Sequence, residues 1–197
     1  PLATLQALIV NERWLEGFSL VNRIIQPSKK HLNLIAMINV HMGAGIGVYT
    51  GILLSTFYAR PIWSSSILGF VFLMSGLSSA AALVMLMAPR REKLMFSKMD
   101  MYFISLEGFA TTLFIIGGIT GSENVRDAMY FLISGPYAPW FWVVFVMGGM
   151  IVPLMLETLE AIGRIRFTVL VPLLVLTGSL TLRFIIVYAG QAFPTFA

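Results

Sequence analysis

The chain has 197 residues, of which 58% are hydrophobic and 11% charged, with a formal net charge of +4. A soluble domain carries about 25% charged residues, so there is too little charge here to cover a water-facing surface, and an integral membrane protein is the expected class. The lack of cysteine excludes thiolate-held iron–sulfur clusters, disulfides and cysteine catalysis within this chain.

In chain order, residues 1–31 contain an apolar run from Leu2 to Val10 that is too short to span a bilayer, which takes about 20 residues. Leu5, Leu8, Ile9, Leu15, Phe18, Val21 and Ile25 recur near helical spacing opposite Glu12, Arg13, Glu16, Asn22 and Arg23. This pattern predicts an amphipathic, interfacial segment. Five apolar runs then predict an all-α, polytopic membrane helix bundle over 32–197, with spans at 32–57, 67–88, 101–120, 140–161 and 167–191. The breaks are Pro61, Pro89, the segment 121–139 and the segment 163–166, whereas Pro153 and Pro172 fall inside spans, where membrane helices accept kinks.

Lys and Arg collect on one side of this topology: Arg13, Arg23, Lys29 and Lys30, then Arg90, Arg91, Lys93 and Lys98, then Arg164 and Arg166. The other side collects Tyr58, Trp63, Tyr137, Trp140 and Trp142. Positive charge stays inside, so the head is expected to be cytoplasmic and the C-terminus outside, and the basic loops report topology rather than nucleic-acid binding.

The polar groups within the spans are the candidate site. Counting about 1.5 Å per residue places Tyr49 and Arg183 in the outer leaflet, His41 near the middle, and Glu107 and Glu157 in the inner leaflet. An ionised side chain in hydrocarbon costs at least ~2.5 kcal/mol, which makes Arg183 a functional or a paired residue. Tyr49 sits between Gly47 and Gly51, small residues that let a helix or a flat ligand approach the backbone. Blander roles stand beside these. Glu107 can tie two helices together as a neutral acid, His41 can be a satisfied interior histidine, and Tyr49 can hydrogen-bond within the bundle. Glu157 and Glu160 are expected at the interface, and Asp100 as a first-turn charge at a helix N-terminus. His41 is the only histidine in a long apolar run, so a bis-histidine haem is not expected, and no metal-ligand spacing is present.

Several motifs, in order, carry a resemblance: Tyr49-Thr50-Gly51 with Leu53-Leu54-Ser55, Arg60-Pro61-Ile62-Trp63, and the run from Phe72 to Ser78. Asp100 with Glu107, Gly148 with Pro153, Gly178 with Leu182-Arg183, and Ala189-Gly190-Gln191 complete it. Together they resemble the NrfD or PsrC type membrane subunits of polysulfide-reductase-like, nitrite-reductase-associated and alternative complex III assemblies. Members of that family usually have eight or more spans, so the chain is similar to their C-terminal portion. The resemblance implies a subunit of the bacterial or archaeal cytoplasmic membrane, part of a quinone/quinol oxidoreductase. It would bind menaquinone or ubiquinone, exchange electrons with an iron–sulfur subunit at the outer face, and join further membrane and catalytic redox subunits. It implies a quinone-contacting role for Tyr49, with Thr50, Gly51, Arg183 and Gln191 as the other candidate binding residues. The stepped depths of Glu107, His41, Tyr49 and Arg183 suggest a proton route. A secondary transporter, or a structural anchor with no quinone site, are the alternative readings.

Overall fold

The computed structural model describes residues 32–56, 60–87, 90–165 and 168–193; the amphipathic segment expected over 1–31 lies outside them. All regular structure among the described residues is helical: α1 (Leu32–Ser55), α2 (Ile67–Met87), α3 (Arg90–Ile119), α4 (Glu123–Ile133), α5 (Trp140–Ala161) and α6 (Leu170–Ala192). Five of these, α1, α2, α3, α5 and α6, are long and apolar enough to cross a membrane, as the run lengths predicted.

The chain divides into two units, Pro1–Ile46 and Gly47–Ala197. The described part of the first is the opening stretch of α1. In the second, α2 packs on α3 and α6, and α5 packs on α6 and α3. Between them lies a core that includes Leu68, Phe72, Met85, Ile104, Phe114, Phe141, Phe145, Leu182 and Ile186.

Two elements differ from expectation. α3 starts at Arg90 rather than near residue 101 and runs for 30 residues, about 45 Å at 1.5 Å per residue against ~30 Å of hydrocarbon. Its basic opening turns continue the helix instead of forming a loop, and Glu92 in the first turn complements the N-terminal dipole. The segment 121–139 contains α4, whose 11 residues are too few to cross a membrane. Ala128, Met129 and Leu132 are buried beneath it, while Glu123, Asn124, Arg126 and Asp127 are exposed. α5 is unusual in another way: Trp140–Ile151 is π-helical, and the N–H of Val152 donates to the carbonyl of Met147, five residues back. Pro153, which has no N–H to give, follows, and the helix continues in α form to Ala161.

Small residues set how closely the helices approach. A Cβ on Gly149 would lie 2.5 Å from the Cα of Gly178, and one on Gly178 would collide with Gly149, so α5 and α6 touch backbone to backbone. Gly51 of α1 meets Gly69 of α2 in the same manner. At the end of the bundle that carries Trp63 and Trp140, the segment after α1 clasps the end of α6. Arg60 Nη1 donates to the carbonyls of Gly190, Gln191 and Phe193 at 3.2, 2.9 and 3.1 Å. These carbonyls lie at a helix terminus that leaves acceptors unmet and carries partial negative charge. Trp63 Nε1 donates to Ile186 O at 2.9 Å, its indole lying against Gly190, where no side chain fits.

Replacing Gly178 with Leu is expected to destabilise the detergent-solubilised protein by about 3 kcal/mol or more, because backbone would have to move. Gly117→Ala, where a Cβ meets nothing within 4 Å, should leave the thermal midpoint within a degree or two of wild type.

Candidate functional site

A seam of buried polar side chains runs through the second unit. Helical spacing creates it: Ser75 and Ser78 lie three apart on α2, Asp100 and Glu107 seven apart on α3, and Ser179 and Arg183 four apart on α6, so each set shares one face of its helix. α2 and α3 follow one another directly and run antiparallel, so the order of one is matched in reverse by the other. Ser78 Oγ donates to Asp100 Oδ1 at 2.5 Å, and Ser75 lies beside Glu107. Ser75 Oγ in turn donates to Ser179 Oγ at 2.9 Å. Ser75, Ser78, Asp100, Glu107 and Ser179 are all buried.

Arg183 closes one end. Its Nη1 donates to Ser179 O at 3.2 Å and also to Ser179 Oγ, while Nη2 lies over Gly76 at ordinary contact distance. Glu107 is its charge partner. The guanidinium is only half-buried, and its open side lines a groove of about 370 Å³ with Leu180, Phe184, Val187, Tyr188 and Gln191. The rings of Phe184 and Tyr188 stack with centroids 6.0 Å apart. The same two rings help line an adjoining groove of about 270 Å³ with Tyr137 and Trp140.

At the other end of the seam, Glu157 of α5 lies against Asp100 and Ser97 of α3. Asp100 Oδ2, Glu107 Oε1, both carboxyl oxygens of Glu157 and the hydroxyls of Ser97 and Thr111 are buried and find no well-aligned hydrogen-bond partner.

The structure brings some of the candidate residues together and separates others. Glu107 and Arg183 come close enough to act on each other's charge, and Arg183 and Gln191 share a groove. Tyr49 is not among that groove's lining residues. It is 62% exposed, two residues from both Gly47 and Gly51 and therefore on the other side of α1. Gly51 is buried against Gly69, so the room its missing side chain leaves is taken by α2. Thr50 is exposed beside it. His41 is also exposed and pairs through Nδ1 with Met37 O at 2.8 Å on its own helix, in the first unit.

Two acids depart from the sequence expectation. Asp100 is not a first-turn charge but lies ten residues into α3, fully buried, and Glu157 is buried rather than interfacial. The signal that could have found them is the register itself: a serine pair three apart on one span, facing carboxylates two turns apart on the next. Glu160 does stay partly exposed, and its Oε1 accepts the N–H of Thr168 at 2.9 Å just ahead of α6.

Comparison with known proteins agrees with the motif resemblance. The family model described as "Polysulphide reductase, NrfD" matches residues 2–195. Protein NrfD of Escherichia coli is 30% identical over 197 residues, covering 93% of this chain and 61% of that protein. The C subunit of polysulfide reductase from Wolinella succinogenes is 31% identical over 168 residues, covering 77% of this chain and 52% of the relative. A Protein NrfD homolog of Haemophilus influenzae is 28% identical, covering 95% and 61%. The chain thus spans between about half and three-fifths of the length of these relatives, and no solved structure matches it significantly. With nearly all of its length matched and five helices fit to cross a bilayer, the chain belongs to the NrfD family of multi-pass membrane proteins.

Proposed function

We propose that the chain is the quinone-handling part of the membrane subunit of a redox complex, exchanging electrons with an iron–sulfur partner and moving protons through the seam. The observation that carries this reading is the double-sided environment of Arg183. One side of the guanidinium is held by Ser179 and feels the charge of Glu107 across the bundle, and the other is open to an apolar groove on the outer surface of α6. Such an arrangement suits a lipid-phase ligand with carbonyl acceptors and a hydrocarbon tail.

A quinone fits the donor set. Arg183, Gln191 and the Tyr188 phenol offer hydrogen bonds along one helix face, and Leu180, Phe184 and Val187 supply apolar wall. When bound, a quinone supplies two-electron chemistry coupled to two protons. The residues of this chain would orient its carbonyl and favour negative charge there, as preorganised donors do. Glu107, buried next to Arg183, is the group placed to give or take the proton. Tyr49 would act from α1 as a second donor on the lipid-facing surface. The iron–sulfur partner would dock where α4 turns its charged face outward and the Arg60–Trp63 clasp caps α6, the side the positive-inside rule assigns to the exterior. The name of the Wolinella succinogenes relative makes that protein one subunit of a polysulfide reductase built from several, in keeping with such an assembly.

In the assembled complex, Arg183→Gln and Glu107→Gln are each expected to lower quinol-coupled turnover at least tenfold, about what losing one well-placed donor or proton group costs. Partner clusters followed by electron paramagnetic resonance should remain present. If turnover stays normal in both variants, the quinone chemistry lies elsewhere and the chain is a structural anchor.

Tyr49→Phe removes one hydroxyl and should raise the KM for quinol several-fold with little loss of expression. Unchanged affinity and rate would take Tyr49 out of the site.

A further inference from the structure

The acids at the far end of the seam are not used by the groove chemistry, and their arrangement points to a role of its own. Asp100 and Glu157 come from different helices and lie within hydrogen-bonding reach of one another, both fully buried. Two ionised carboxylates are acceptors only, so such a contact forms when one of them carries a proton. The neighbouring charged groups are also acidic. Glu107 lies two turns along α3 and Glu160 lies one turn along α5, whereas Arg183 acts on Glu107.

The hydroxyls around the pair support the same reading. Ser78 of α2 donates to Asp100 Oδ1 at 2.5 Å, which fixes that oxygen as an acceptor and leaves Oδ2 for the partner acid. Ser97, one turn before Asp100, is 1% exposed, lies beside Glu157 and has no well-aligned partner of its own. It is a buried donor turned toward an acid that still has capacity to accept.

We infer that Asp100 and Glu157 act as one acid pair that holds a shared proton and forms the cytoplasmic-side port of the seam. The pair at rest carries one proton and one negative charge. Taking a second proton from the side of the basic loops makes it neutral. Passing a proton along the hydroxyls of Ser78 and Ser75 to the Glu107 carboxylate restores the singly charged pair and leaves Glu107 neutral. Ser78 and Ser75 lie one helical turn apart on α2, Ser78 against Asp100 and Ser75 against Glu107, and so lie between the two acids that are two turns apart on α3.

The proton transfer to Glu107 rests on the function proposed above, but the shared proton does not, and the two are tested separately. Infrared difference spectra of the intact complex in membranes near neutral pH should show a protonated-carboxyl band that shifts in D2O and is lost in both Asp100→Asn and Glu157→Gln. In liposomes, either variant should cut proton uptake from the basic-loop side at least tenfold, and the double variant should be no worse than the single ones. The partner's clusters, followed by electron paramagnetic resonance, should remain present in both variants, which excludes loss of assembly as the cause.

No carboxyl band in wild type, or a band that each variant removes only in part and additively, overturns the pair. So does a band displaced by Na+ at constant pH, which would make the cluster a cation site. A band that behaves as described in a complex with no quinol turnover would leave the pair standing and remove the quinone reading instead.

Discussion

A charge taken out of water must be met from inside the bundle, and the second unit is built to that requirement. Arg183 cannot face hydrocarbon alone, so it is held by Ser179 on its own helix and balanced in charge by Glu107 across the interior. The other helices accommodate that clasp with small residues. Ser75 adds a hydroxyl without bulk, and the Gly149–Gly178 contact lets α5 close on α6. The same small side chains that permit tight packing therefore also supply the polar lining. An apolar core would have been simpler to build; here a row of acids and hydroxyls interrupts it along the length of α3.

The large features were legible because bilayer thickness imposes a run length. Five uninterrupted apolar stretches could only be five crossings, and four of the five helices start and end within three residues of the hydropathy limits. α3 escaped because Arg90, Arg91, Lys93 and Lys98 lower the local hydropathy while remaining good helix formers. α4 escaped because eleven amphipathic residues between turns look like any polar loop. Of the candidate residues, Glu107 and Arg183 were readable from the cost of burying charge. Asp100 was not, since depth was counted from the hydropathy edge near 101 rather than from the true start of α3 at Arg90, and Glu157 was not, since nothing in its own span announces the α3 acid it packs against. Gly51 shows a different limit: a small residue says that something comes close, and in this fold the close neighbour is Gly69.

The motif Arg60-Pro61-Ile62-Trp63 read in sequence only as an abrupt end to a span. In the fold it is the fastening of the last helix. The guanidinium collects three terminal carbonyls, and the indole presses on Gly190 and bonds to Ile186 O. No local pattern announces such an arrangement, because its two halves are separated by most of the chain. Its effect is to seat the stretch of α6 that carries Arg183 and Gln191 against a rigid neighbour rather than leave it as a frayed terminus.

The winding of α5 has a geometric result of its own. A coil whose hydrogen bonds reach back five residues is broader and climbs less per residue than one whose bonds reach back four. Twelve residues from Trp140 to Ile151 therefore gain less height than the same number would in an ordinary helix. A ruler of 1.5 Å per residue overstates how far the remainder of α5 descends. The shortfall shortens the path from Trp140 to Glu157, which is buried against a carboxylate ten residues inside α3.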